Sequence, residues 1–281
     1  MSYTLTLTST MRNSVYALQQ IEKQTNTENE ILSTGNKVNS ALDNPLKYFT
    51  SQDHLYRASD LEGRKDEMSE ATELVTAAND GVESILKLID SAQSLGNEAL
   101  TAEDSSDSSD LEKQYNAILT QIDQLASDAY YKGTNLLGGT TESLTVHFNA
   151  DGTSSLTLNG KDASSTGLGL TAVTTGNWWD TTNTAANKTN IQTNLDALTA
   201  AKKSLRTMAK TLSSQASIIS TRSDFTDNMV TVLRNGSSNL ISADSNDESA
   251  KLTMLTTQQS LAIKSLSIGS TAYSNVLKIF G

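Results

Sequence analysis

Residues 68–92 read MSEATELVTAANDGVESILKLIDSA, and this stretch decides the fold. Met68, Ala71, Val75, Ala78, Val82, Ile85, Ile89 and Ala92 fall alternately three and four residues apart without a miss. That spacing puts them on one helical stripe with a mean period of 3.5 residues, the seam of a coiled coil. Working outward, Asn44 is a good N-cap and Pro45 suits the first helical position, where a missing N–H leaves nothing unpaired. The helix is predicted from Pro45 to about Leu100, roughly 80 Å long at 1.5 Å per residue.

Three more stretches carry the same spacing. The first is Leu7, Met11, Ser14, Leu18, Ile21, Thr25, Glu28 and Leu32, interrupted by polar residues and stopped by Gly35. Another is Leu195, Leu198, Lys202, Leu205, Ala209, Leu212, Ala216, Ile219, Ser223, Thr226, Val230 and Leu233, with Asn235-Gly236 read as its end. The last is Leu252, Leu255, Gln259, Ala262, Leu266, Gly269, Tyr273, Val276 and Phe280. Ser109–Glu112 and Ser245–Glu248 both fit the capping box, so they are expected to open helices. The first of these helices carries Leu111, Ile118, Ile122 and Leu125 and ends near Tyr131-Lys132-Gly133.

Between the helices the composition changes. Residues 143–148 and 155–158 alternate polar and apolar around Asn149–Ser154, the pattern of a β-hairpin with a turn of several residues. Trp178-Trp179 lies in a Thr/Asn-rich stretch read as a loop. The expected fold is mainly α: a long antiparallel helical coiled-coil rod with a small β-hairpin insert, its terminal helices pairing as a coiled coil.

Composition narrows the function. The 281 residues include 21 basic and 32 acidic side chains, a net charge of −11. That sign argues against nucleic acid and against an anionic membrane surface. With no Cys, the chain has no disulfide, thiolate metal site or cysteine nucleophile. One Pro and 15 Gly leave long helices uninterrupted. Hydrophobic residues make up 36% and aromatics 5%, too few for one large compact core. Ser and Thr fill about a quarter of the chain, well above ordinary usage. The N-terminus lacks the basic start and apolar run of a cleavable leader, and no apolar run is long enough to cross a membrane.

The two ends are nearly uncharged. Residues 1–21 hold only Arg12, and residues 252–281 only Lys264 and Lys278. A lone helix cannot bury its stripe against itself. Both ends are therefore expected to be unordered in the isolated chain and to order only against other copies; the alternative is an ordinary intramolecular helical hairpin, which the low charge of both ends disfavours. A contact between two different surfaces that does not close on itself gives an open helical filament.

Particular motifs go further. Leu32-Ser-Thr-Gly-Asn-Lys-Val-Asn-Ser-Ala-Leu-Asp-Asn-Pro45 resembles the N-terminal signature of bacterial flagellins, particularly the compact alphaproteobacterial type. Ala78-Asn79-Asp80-Gly81, Tyr131–Leu137, Ala243–Ala250 and the ending Asn275–Phe280 are similar to further flagellin segments. The resemblance covers roughly residues 1–140 and 190–281. It implies a filament subunit exported unfolded through the flagellar type III apparatus, with an inner tube of terminal helices and an outer tube of long ones. It also implies a C-terminal export chaperone, cap and hook-associated proteins as partners, and an extracellular location in the filament. No bulky outer domain fits in residues 138–189.

On that resemblance the chain divides into 1–40 and 238–281 for the inner tube, 41–137 and 190–237 for the outer tube, and 138–189 for the insert. Met11, Val15, Leu18, Ile21, Leu32, Leu252, Leu255, Ala262, Leu266, Tyr273, Val276 and Phe280 are expected at inner-tube subunit interfaces. Val75, Val82, Ile85, Ile89, Leu198, Leu205, Leu212 and Ile219 are expected at the outer-tube interface or core. No enzymatic constellation, metal or cofactor is expected: His54 and His147 have no second ligand at metal spacing. Asp104, Asp107 and Asp110 lack a calcium loop. The rival readings are a hook–filament junction protein and a secreted coiled-coil adhesin or translocator. The Ser/Thr-rich insert is open to O-glycosylation or simply polar.

Overall fold

The Asn44 Oδ1 accepts from the Lys47 amide at 3.0 Å, which caps the longest helix of the N-terminal half. The computed structural model describes residues 9–179 and 184–280. In chain order the elements are α1 (Ser9–Thr34), α2 (Pro45–Thr101), α3 (Ser105–Asp128), β1 (Tyr130–Tyr131), β2 (Thr134–Asn135), β3 (Ser143–His147), β4 (Ser155–Asn159), α4 (Thr184–Ile241) and α5 (Ser245–Phe280). Leu7, the first member of the first stripe, lies outside the described residues. The chain forms two compact units, Met1–Tyr56 with Val232–Gly281, and Arg57–Thr231. The boundary falls within α2 and α4, so the terminal unit takes more of both helices than a division at residues 40 and 238 would give it.

In the central unit α2 and α4 run antiparallel. Lys65 pairs with Asp227 at 2.5 Å, Gln93 Nε2 donates to Thr199 Oγ1 at 3.2 Å, and Lys202 pairs with Asp90, so contacts advance along one helix as they retreat along the other. Every member of the stripe from Met68 to Ala92 is buried. It meets Leu198, Ala201, Leu205, Leu212 and Ile219 of α4 and Leu111, Tyr115, Leu119, Ile122 and Ala126 of α3 in one apolar core.

The insert rests on α3 through polar hooks. Asn116 donates to the Val173 carbonyl at 2.9 Å and accepts from the Val173 amide at 2.8 Å. Asp123 accepts from the Ser165 amide at 2.7 Å. These pairs satisfy loop backbone that would otherwise be buried without partners. The β3–β4 hairpin is antiparallel, with Leu144 opposite Leu158 and Val146 opposite Leu156, and it buries Val146 and Leu158. β1 and β2 form a second small hairpin whose turn residues, Lys132 and Gly133, both have positive φ (47° and 87°). Positive φ at both central positions suits the twist of a tight hairpin.

Three local expectations are corrected. The helix expected to open at the Ser109–Glu112 capping box instead opens at Ser105, capped by Asp104, whose carboxylate accepts from the Ser106 amide at 2.9 Å. Glu112 turns inward and accepts from the Trp178 amide at 3.3 Å. The stop read at Asn235-Gly236 does not operate, because α4 continues to Ile241. One helical glycine costs only about 1 kcal/mol, and the buried Leu233 and Ser237 on either side hold the turn in place. At α5 the cap is Asp244 rather than Ser245: its carboxylate accepts from the Asn246 amide at 2.9 Å. Trp178 lies in a turn, as expected, and is buried against Tyr115 of α3 with ring centroids 5.1 Å apart.

Candidate assembly interface

The terminal unit joins α1 and α5 with the first turns of α2 and the last turns of α4. α1 ends at Gly35, whose φ of +70° and amide bond to the Ile31 carbonyl at 2.8 Å make a left-handed stop. A short backbone clasp follows: the Lys37 amide donates to the Ile241 carbonyl at 2.6 Å and the Ala243 amide to the Gly35 carbonyl at 3.0 Å. The clasp fixes the end of α1 beside the start of α5, so the helices run antiparallel and in contact. Further out, a Cβ added at Gly269 would lie 4.0 Å from Met11.

In this seam Met11 and Leu255 are buried, while Val15, Leu18, Ile21, Leu32, Leu252, Ala262, Leu266 and Tyr273 are half-buried. Val276 is exposed, and the Phe280 side chain lies outside the described residues. The terminal helices are formed and paired within one chain, which corrects the expectation that both ends order only against other copies: the clasp brings the two stripes together, and each covers part of the other. Val75, Val82, Ile85, Ile89, Leu198, Leu205, Leu212 and Ile219 all lie in the core of the central unit.

The polar interruptions in the first stripe have a role in the seam. The Glu28 carboxyl lies beside that of Glu248, which is 2% exposed, and Glu28 Oε2 is buried with no hydrogen-bond partner among the described residues. Lys251 donates to Glu248 at 2.8 Å and also meets Asp247 at 2.9 Å, and Lys37 lies 3.7 Å from Glu248. Burial, then the neighbouring Glu248 carboxyl, raises the Glu28 carboxyl above its ordinary value. The Lys251 hydrogen bond leads in holding Glu248 below its own. A polar layer at one height of an apolar seam specifies register at some cost in stability.

Outside the seam lie further exposed apolar side chains. On α5, Met254, Leu261 and Ile268 are 52%, 64% and 65% exposed. They stand seven residues apart, which makes a second row on a face turned away from α1. On the first turns of α2, Leu46, Phe49 and Tyr56 are 79%, 58% and 67% exposed. Their spacing puts them on the face opposite the buried Ser51 and Ala58. The heptad interval of Met254, Leu261 and Ile268 was legible in the sequence, but following one stripe per helix passes over it.

Among the described residues no group of three or more His, Cys, Asp or Glu side chains is placed to hold a metal ion. No described helix is long and apolar enough to cross a membrane. His54 lies on α2, within reach of Gly236, and His147 ends β3.

A family model described as the bacterial flagellin N-terminal helical region matches residues 4–142. Flagellin FljN of Caulobacter vibrioides is 31% identical over 280 residues, covering 97% of each chain. Flagellin FljM of the same organism is 30% identical over 280 residues, again covering 97% of each. The chain belongs to the bacterial flagellin family. Flagellin C of Rhizobium meliloti is 42% identical over 72 residues, 26% of this chain and 22% of that one. The crystal structure of Bacillus cereus flagellin superposes on 57% of this flagellin at a TM-score of 0.46 and 17% identity, covering 88% of that chain.

Proposed function

We propose that this flagellin is the structural subunit of the extracellular bacterial flagellar filament used for swimming, and that its work is self-assembly through the terminal unit. The observation that carries the reading is the second apolar row of α5, left uncovered after the first has packed on α1. Burying a large aliphatic side chain is worth about 1.5–3 kcal/mol, so a row of three exposed ones favours association. The half-buried Val15, Leu18, Ile21, Leu266 and Tyr273 widen the face offered to neighbouring copies in the inner tube. The central unit, with its stripes already covered, serves as a rigid outer-tube segment. Before export the C-terminal segment is held by a chaperone that covers the same row, and cap and hook-associated proteins meet the ends of the filament.

Seeded polymerisation of the purified chain, followed by sedimentation and electron microscopy, tests the reading. Long filaments are expected. A one-layer ring or a short junction would instead favour the hook–filament junction protein, and binding to a host surface without self-assembly would favour the adhesin.

A further inference from the structure

The terminal unit carries two unpartnered apolar rows on different helices. The row on α2 is Leu46, Phe49 and Tyr56; the row on α5 is Met254, Leu261 and Ile268. Each carries one charge at its middle. Asp53 sits between Phe49 and Tyr56 on the α2 row, four residues after the first and three before the second. Lys264 flanks the α5 row between Leu261 and Ile268, three residues after the first and four before the second. Both charged side chains are exposed, and neither has an ion-pair partner among the described residues.

The spacings are mirror images. If the rows are laid antiparallel with Asp53 opposite Lys264, Phe49 falls opposite Ile268 and Tyr56 opposite Leu261. A parallel arrangement puts both apolar pairs one residue out of step. We infer that the α2 row of one flagellin docks antiparallel on the α5 row of a second copy, with Asp53 and Lys264 forming the ion pair that sets the register. This rests on the self-assembly reading and names the surfaces that perform it. Two different faces of one molecule make a heterologous contact, and a contact of that kind propagates instead of closing into a dimer. The charges fix orientation and exclude the shifted registers, the usual role of ion pairs flanking an apolar seam.

A charge swap in the full-length chain tests the pairing. Asp53→Lys, Lys264→Asp and the double variant are compared with the native protein by critical concentration for seeded polymerisation. Circular dichroism of the monomers serves as the fold control, since both positions are exposed. Each single variant sets like charges face to face and raises the critical concentration by about tenfold or more. The double variant restores the pair with reversed sign and returns to within about threefold of native. Single variants that assemble like the native chain overturn the pairing, and so does a double variant no better than the singles, which would assign the two rows to separate partners. A native chain that forms no filaments overturns the self-assembly reading itself, so the two failures are distinguishable.

Discussion

Two glycines inside α2 should respond oppositely to the same substitution. Gly63 and Gly81 both lie in helix interior, where alanine is favoured over glycine by about 0.5–1 kcal/mol. A Cβ added at Gly63 meets nothing within 4 Å. Gly63→Ala is therefore expected to stabilise by roughly that full amount. At Gly81 the same Cβ would lie 2.8 Å from Leu137 Cδ1 and 3.0 Å from Ala129 Cβ. Leu137 can turn its Cδ1 into the groove it lines with Met208 and Leu212, but the Ala129 Cβ is fixed to its backbone and cannot move aside without shifting the chain. Overpacking of this kind costs about 1–3 kcal/mol, more than the helical gain, so Gly81→Ala is expected to destabilise by up to about 2 kcal/mol. The two variants should then differ by about 1–3 kcal/mol, or several degrees in Tm for a unit of this size. Urea unfolding of the dilute monomer, followed by far-ultraviolet circular dichroism, measures the difference. Equal stability of the two variants would refute the argument that Gly81 is required by the close approach of the Ala129–Leu137 segment to α2.

Deleting residues 252–281 should abolish polymerisation while the central unit stays helical by circular dichroism; normal filaments from this truncation would sink the proposed role of α5. Leu266→Asp should also prevent assembly, because it puts an unpaired carboxylate on a half-buried edge of the seam that neighbouring copies must cover; sedimentation shows whether filaments persist. Glu28→Gln tests the polar layer through pH. The Glu28 carboxyl is raised in the folded chain, so its favourable contribution is complete below its ordinary 4.5 and is lost as pH rises through the folded value. Glu248, held low, runs the other way and loses its contribution as pH falls. Gln at position 28 removes the charge facing Glu248 and offers it an amide donor, so its advantage in Tm over the native chain should be larger at pH 8 than at pH 4. An equal gap at both values would remove Glu28 from the argument.

Much of the architecture is legible in the sequence. The unbroken alternation from Met68 to Ala92 required a long helix with one apolar face. Asn44 and Gly35 marked helix boundaries, and the alternation over 143–148 and 155–158 marked the hairpin. These are local signals: they depend on residues within a turn or two of each other, where steric and hydrogen-bonding preferences act directly.

What remained hidden depended on distant partners. Glu112 looked like half of a capping box, yet its carboxylate faces Trp178, 66 positions away along the chain. Asn235-Gly236 looked like a stop, yet buried neighbours carry α4 past it. Thr25 and Glu28 looked like interruptions in a stripe, and Glu28 proved to be half of a carboxyl pair with Glu248. Most consequentially, α5 carries two apolar rows, and the local pattern could not say which of them α1 would cover. The sequence by itself determined the helices and their apolar edges, because periodicity is a property of one segment. Only the tertiary structure decided which edge is spent inside the chain and which is left for a neighbour, because burial belongs to pairs of surfaces and not to either one alone.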